Sequence, residues 1–440
     1  MIIVFWLTTL MAIIISCFYI FKRKDYFSIL TYNLLGIYLP LLVSFFNWST
    51  FSVSKNGNLF CYVFLCLNIA CILYCFLPYY KLNGLEDIKI YRRKHVIPIV
   101  FINAVYIACV LIENIYLSGM LFPGLAGIDV HTGRMPGIYF LTTATYIVVV
   151  TDLLEFIASG KIRCLVYAAI SFLTNIISKS SRVDAGIATI QISSLLLFIF
   201  LSKGRKKKVS IKRIVIICVL VIFLMLLINE GIAIGNNRMN SNGKYNTVYS
   251  DGIGYSGPEM DNELLAYYYG YFPMSFDNLA YNLKTVSPDF NGIGLNSFRC
   301  LYFGILQFDN LFGLDGSTAV KNKIIRCRAA AVPTIFWDFY YDYDVLVFIP
   351  IAITFLIAFS LRRKLARERT VISMIVYFYW VPMWMFGSFD NRSYDYQTIW
   401  HILILYLFFK RRYLLETSIN PLELTKKRRI HFRIGRIKLW

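Results

Sequence analysis

The sequence predicts an all-α polytopic membrane protein of about eleven transmembrane helices with one large extracytoplasmic loop, and three observations carry that prediction. Of 440 residues, 58% are hydrophobic and only 16% are charged, with a mean hydropathy of +0.59, whereas about a quarter of a soluble domain is charged. Apolar runs long enough to cross a bilayer recur along the chain. The basic residues sit in short clusters between those runs, a pattern that sets membrane orientation.

Each element follows from the length rule that about 20 apolar residues, rising about 1.5 Å each, cross a hydrocarbon core about 30 Å thick. The runs predict helices near 2–21, 26–46, 59–78, 96–116, 137–157, 164–178, 183–202, 214–234, 344–361, 371–388 and 395–409. The first run is not preceded by basic residues and has no small-residue cleavage site, and Lys22-Arg23-Lys24 follows it, so it is expected to be a retained helix rather than a signal peptide.

With the N-terminus outside, the segments facing the cytoplasm are 22–25, 79–95, 158–163, 203–213, 362–370 and the tail 410–440, and these hold 32 of the 45 Lys and Arg residues. The acidic residues on that side are Asp25, Glu86, Asp87, Glu368, Glu416 and Glu423, so polar chemistry is expected to collect on the outer face. The domain organisation expected is transmembrane helices over 1–234, a large outer loop over 235–332, further spans over 333–412 and a basic cytoplasmic tail over 413–440. Lys426-Lys427-Arg428-Arg429 in the tail suits anionic lipid headgroups rather than nucleic acid.

Within the large loop, Leu264–Leu283 reads LLAYYYGYFPMSFDNLAYNL, a poor span with Pro273 at its middle and a good interfacial or re-entrant element. Eight of the ten cysteines fall in apolar runs and read as small hydrophobes. Cys300 and Cys327 lie in the loop, and whether they pair is open.

Ionisable residues at membrane depth cost several kcal/mol unless partnered, which makes them functional candidates. The hairpin Lys179-Ser180-Ser181-Arg182-Val183-Asp184 places two cations at the outer boundary. It reads either as a solvated turn whose cations snorkel to lipid phosphates or, preferably, as an anion clamp in which Arg182 offers a rigid fork of donors and Lys179 a point charge. In Gly127–Arg134, His131 has an ordinary pKa suited to general base work but reads equally as a surface residue, and Arg134 is a candidate anion ligand. A third group runs from Arg326-Cys327-Arg328 through Thr334, Trp337, Asp338, Tyr340, Asp342 and Asp344. Its carboxylates need cationic partners if buried, and aromatic rings beside carboxylates suit sugars, although an interfacial aromatic belt explains some of the rings. The fourth, Asp390-Asn391-Arg392-Ser393 with Asp395, is expected to be partly structural. The chain contains no Walker A sequence, no HExxH and no Cys/His set with metal spacing, so neither a cofactor nor a metal is expected.

Many helices, a large outer loop late in the chain, Ser181-Arg182 in an outer hairpin, and Thr334-Ile335-Phe336-Trp337-Asp338-Phe339-Tyr340-Tyr341-Asp342-Tyr343-Asp344 at the start of the next helix resemble the bacterial oligosaccharide repeat-unit polymerases, the Wzy-type polymerases of O-antigen and capsule. Members of that family commonly read Thr, aromatics, then Asp-Phe-Gly, whereas this chain has Tyr343 and Asp344 in place of Phe-Gly. The resemblance implies transfer of a chain linked to undecaprenyl diphosphate onto a sugar hydroxyl of the next lipid-linked repeat unit, at the outer face of the inner membrane. Under that reading Arg182, Lys179 and Arg134 hold the diphosphate, with Arg326 or Arg328, and the candidate bases are His131, Asp338 and Asp184 in falling order. The implied partners are the lipid-linked oligosaccharide, membrane lipids and a chain-length regulator protein, with no nucleic acid and no cofactor. An O-antigen ligase differs only in its acceptor, and a lipid-linked oligosaccharide flippase would share length and charge pattern but call for a central polar cavity. Arg182→Ala is expected to leave the protein inserted while cells lose long-chain polysaccharide and display a single capped unit; normal chain-length ladders on a glycan gel would remove the clamp.

Overall fold

The computed structural model describes residues 1–80, 91–92, 97–123, 135, 138–159, 161–179, 182–201, 249–258, 264–290, 292–302, 322–325, 334–368 and 370–414. The chain is mostly helical. Its longer helices are α1 (Ile2–Arg23), α2 (Ile29–Ser44), α3 (Asn58–Phe76), α4 (Ile99–Ser118), α5 (Thr145–Ser159), α6 (Arg163–Lys179), α7 (Arg182–Leu201), α8 (Leu264–Tyr271), α9 (Pro273–Thr285), α10 (Ile335–Tyr343), α11 (Phe348–Glu368), α12 (Val371–Ser388) and α13 (Gln397–Arg412). Among the described residues, α1, α3, α4 and α12 are each long and apolar enough to cross a membrane. A fifth such span exists if α10 and α11, which meet at a 120° bend, are taken together, and α2, α7 and α13 contain shorter apolar helices. The expected span at 214–234 lies outside the described residues.

The surface of α1 is that of a membrane helix. Ile3, Leu7, Leu10, Met11, Ile14, Phe18 and Phe21 are exposed, while Thr9, Ala12 and Ser16 are buried. Phe5 and Ile20 are buried with them, but most of the large apolar side chains of α1 point outward, the arrangement stable against lipid rather than water.

Several elements depart from simple spans for local reasons. In α2, Pro40 has no amide hydrogen for the carbonyl one turn back, and the preceding turn widens into a π-helix over Leu34–Tyr38. The run expected at 137–157 breaks into Tyr139–Thr142 and α5, because the hydroxyls of Thr142 and Thr143 both donate to the Tyr139 carbonyl at 2.9 Å and compete with the backbone ladder. Pro273 begins α9, dividing the aromatic segment 264–283 into two helices. The helix expected to start at 344 starts at Phe348, since Asp344 takes a φ of +49° and a short 3₁₀ turn follows it. In α12 the α-helix gives way to a 3₁₀-helix over Val381–Ser388, where Pro382 removes a backbone donor.

The chain divides into two compact units, each assembled from separate stretches of sequence. The first comprises Met1–Lys81, Asn242–Arg362 and Trp380–Ile399. Its helices are joined by buried polar links: Asn68 of α3 donates to Thr8 and Thr9 of α1 at 3.1 and 3.0 Å and accepts from Tyr38 of α2 at 2.6 Å. Gly36 lies so close to Met385 that a Cβ would meet the Met385 carbonyl oxygen at 2.1 Å, so only glycine fits there. Among the ion pairs buried in the unit are Asp25–Arg362 at 2.6 Å and Lys55–Asp277 at 2.5 Å. Lys55 also donates to the Ser44 carbonyl, and Asp277 accepts from the Val53 amide, so the pair fastens the 45–57 loop to α9.

The second unit comprises Leu82–Ser241, Arg363–Tyr379 and Trp400–Trp440. Asn103 of α4 donates to Asp152 of α5 at 3.0 Å and accepts from Ser171 of α6 at 2.5 Å. Tyr106 shares a hydrogen bond with Thr145 at 2.8 Å and accepts from Asn175 at 3.2 Å. These two rungs tie α4, α5 and α6 together through buried polar side chains. His401 is buried between Tyr379, whose hydroxyl lies 2.7 Å from Nδ1, and Thr143, 3.1 Å from Nε2.

Because Lys55 and Asp277 are both only 1% exposed, removal of one charge strands the other. Lys55→Met is expected to destabilise the protein by about 3–5 kcal/mol, and adding Asp277→Leu should recover much of the loss. Thermal unfolding of the single and double variants in detergent checks this, and additive losses would contradict it.

Candidate functional site

The strongest polar cluster in the first unit is built from four stretches: 292–302, 322–325, α10, and 390–397. Asp342 organises it. Its carboxylate accepts from the Asn296 amide at 2.9 Å, the Asn296 side chain at 2.7 Å, the Ser297 amide at 2.6 Å and the Ser297 hydroxyl at 2.7 Å. Four donors on one carboxylate satisfy a charge that burial alone would penalise. Asp342 is wholly buried; of the third group in the sequence, it is therefore an anchor for the loop rather than a surface for sugars.

That anchor delivers Arg299. Phe298 packs edge-on against Tyr394 with ring centres 4.8 Å apart, and the Cys300 amide donates to the Tyr394 carbonyl at 3.1 Å. Between them Arg299 is 6% exposed. It donates to the Asn391 carbonyl at 3.1 Å and lies 3.8 Å from Asp395 and 3.9 Å from Asp390, with its guanidinium 5.7 Å from the Tyr396 ring centre. Burial opposes the charge, but the carboxylates of Asp395, Asp338 and Asp390 outweigh it and hold the guanidinium pKa above its ordinary value. Arg392 completes a second pairing, 3.2 Å from Asp390 and 3.4 Å from Asp395.

Asp338 lies in the first turn of α10, whose N-cap Thr334 accepts from the Phe336 amide at 3.3 Å. Nine residues long, α10 meets α11 at a bend of 120°. Asn391 holds Asp338 in place, donating to its carboxylate at 3.0 Å and to the Ser297 carbonyl at 3.0 Å. Burial pushes the Asp338 carboxyl up to about 7, with the charges of Asp390 and Asp342 adding to the rise while Arg299 and the Asn391 hydrogen bond oppose it. A carboxyl poised there exchanges a proton at neutral pH.

No family model, curated protein or solved structure matches the chain. The site's own geometry therefore bears the functional argument.

The residues singled out in the sequence fall unevenly on this site. Asp338 is within it, and Asp390, Asn391, Arg392 and Asp395 form its other half, so the third and fourth groups meet around a shared cation. Lys179 ends α6, Arg182 opens α7 and Asp184 lies in its first turn; the side chains of these three lie outside the described residues. His131, Arg134, Arg326 and Arg328 also lie outside them. Cys300 is a free, buried thiol. Burial, with Asp395 beside it, pushes that thiol up to about 12, so it is neither thiolate nor nucleophile at neutral pH. Cys327 is outside the described residues.

Arg299 is the residue that sequence reasoning missed. Its signal was a single cation between Phe298 and Cys300 inside an apolar, aromatic stretch, the context in which a charge requires buried partners.

The raised Asp338 pKa couples protonation to folding. In the folded chain the proton is held up to about pH 7, while an unfolded aspartate releases it near 3.9. The stability this group contributes is therefore fully present below about pH 4 and is lost as pH rises through 7. Asp338→Asn, which keeps an acceptor for Asn391, is expected to flatten the fall in unfolding temperature between pH 5 and 8; an unchanged slope would contradict the assignment.

Proposed function

We propose that the protein is a lipid-diphosphate-dependent glycosyltransferase of the repeat-unit polymerase kind. It transfers an oligosaccharide from undecaprenyl diphosphate to a sugar hydroxyl of the next lipid-linked unit, to build O-antigen or capsular polysaccharide. In this reading the chain crosses the bacterial inner membrane about eleven times with its N-terminus outside, and the polar cluster of the first unit works at the outer face.

The observation that carries the reading is Asp338: a buried carboxyl with a pKa of about 7, gripped by Asn391, in the field of Arg299. In the transfer, the acceptor hydroxyl oxygen bonds to the anomeric carbon, and the bond from that carbon to the diphosphate oxygen breaks with its electron pair leaving on the phosphate. The hydroxyl proton passes to the Asp338 carboxylate. Positioned general base catalysis of this sort contributes about 10²–10⁴-fold, and preorganised cations favour the growing charge of the leaving group. Arg299 and Arg392, by pairing with Asp390 and Asp395, set the local field without leaving an uncompensated buried charge.

Two further features support the reading. Asp344 stands where the polymerases it resembles carry the glycine of Asp-Phe-Gly, and it takes a positive φ of +49°, a geometry that favours glycine. The 32 basic residues in the six segments assigned to the cytoplasm support a reading in which the cluster lies on the opposite side of the membrane.

The test is genetic and biochemical together. Deletion of the gene should leave single repeat units on the cell surface, whereas loss of a flippase would leave none. Asp338→Asn should lower the transfer rate about 10²–10⁴-fold with the protein still inserted, and Arg299→Lys should fail to restore what Arg299→Ala loses, because an ammonium cannot reproduce the fork. Normal chain-length ladders from the Asp338→Asn protein would exclude this role.

A further inference from the structure

The cluster contains a third cation, Lys323, on a short stretch of chain that two asparagines hold from either side. Asn282 of α9 donates to the Ile324 carbonyl at 2.7 Å and accepts from the Ile324 amide at 2.7 Å, a two-point clip on one residue. Asn322 donates to the hydroxyl of Tyr341 on α10 at 2.5 Å. Asn282 itself is fully buried and also donates to the Asn278 carbonyl. A buried amide committed to backbone on both its oxygen and its nitrogen fixes the position of what it binds. The residue between these two anchors is Lys323.

The charges that act on the Lys323 ammonium come from each stretch of the site: Asp390 and Arg392 before α13, Asp338 on α10, and Arg299 on the 292–302 loop. Arg299 and Arg392 each lie within ion-pair distance of both Asp390 and Asp395. Among the described residues, no carboxylate lies within ion-pair distance of Lys323. Its side chain is half-buried, and burial draws its pKa below the ordinary lysine value against the pull of Asp390 and Asp338. A held, half-buried ammonium with no carboxylate within ion-pair distance among the described residues, beside two arginines already paired with Asp390 and Asp395, is suited to an incoming oxyanion.

We propose that Lys323 is the residue of this site that binds a diphosphate, as a point charge on its phosphate oxygens. The inference rests on the transfer reading for its biological ligand, a diphosphate on a polyprenyl lipid. The chemistry is shared by free pyrophosphate, and the two sources are separable.

The experiment uses the full chain in detergent micelles with two probes, geranylgeranyl diphosphate and inorganic pyrophosphate, each titrated by calorimetry. Lys323→Gln is expected to weaken geranylgeranyl diphosphate at least tenfold, about 1.4 kcal/mol, with the unfolding temperature unchanged. Lys323→Arg, which keeps the charge, should stay within about threefold of the native protein. Pyrophosphate that binds as tightly as the lipid probe and loses the same factor in Lys323→Gln assigns the site to diphosphate from either source; binding of the lipid probe alone with that loss assigns it to the lipid-borne form. Equal affinity of native and Lys323→Gln proteins for both probes overturns the proposal, as does an Arg variant that is folded yet as weak as the Gln variant. Transfer assays keep the two claims apart. If Asp338→Asn still transfers while Lys323→Gln loses binding, the transfer reading fails and the diphosphate site stands. If Asp338→Asn abolishes transfer while Lys323→Gln keeps native binding, the reading stands and the Lys323 assignment fails.

Discussion

A single buried carboxylate decides how the polar cluster is built. Asp342 receives four hydrogen bonds from Asn296 and Ser297, and through them the 292–302 loop is fastened to α10. The loop then has only one way to lie, with Phe298 against Tyr394 and Arg299 directed at Asn391, Asp390 and Asp395. Were Asp342 apolar, the amides of Asn296 and Ser297 would be buried without acceptors, each at a cost of about 1–3 kcal/mol. Arg299 would then lose the scaffold that brings it to its carboxylates.

The same logic of charge answered by charge recurs through the first unit. Lys55 with Asp277 fastens a loop to α9, and Asp25 with Arg362 joins two segments more than 300 positions apart in sequence. Asn391 is the counterpart of Asp342 on the other side of the cluster, since its amide spans Ser297 and Asp338 while its carbonyl accepts from Arg299. Among the described residues, Asp338 has no cation within ion-pair distance and is held by Asn391, and burial raises its carboxyl to about 7. Stability and reactivity therefore come from the same buried groups. On α1 the hydroxyls of Thr9 and Ser16 are buried while most of the large apolar side chains are exposed.

Much of the helical frame was legible in the sequence because it depends on local quantities. A run of apolar residues forms a helix in a bilayer whatever its neighbours do, since each backbone group must find its partner within the segment. The departures, the π turn before Pro40, the break at Thr142–Thr143 and the shift of a helix start from 344 to 348, each arise where a side chain or a proline competes with that ladder. The candidate site was legible only in halves. Asp338 and the 390–395 turn carry charges in apolar surroundings and could be singled out one by one, but nothing in either stretch names the other as its partner. Arg299 shows the limit most plainly, because one arginine in an aromatic stretch indicates that partners are needed without indicating which.

What the sequence by itself determined is the class of solvent and the helical character, because hydropathy is a property of each segment alone. Only the tertiary structure decided that residues 282, 299, 323, 338, 342 and 390–395 share one neighbourhood. Hydrogen bonds and ion pairs reach about 3–4 Å, and which distant segments come that close is set by the packing of the whole unit.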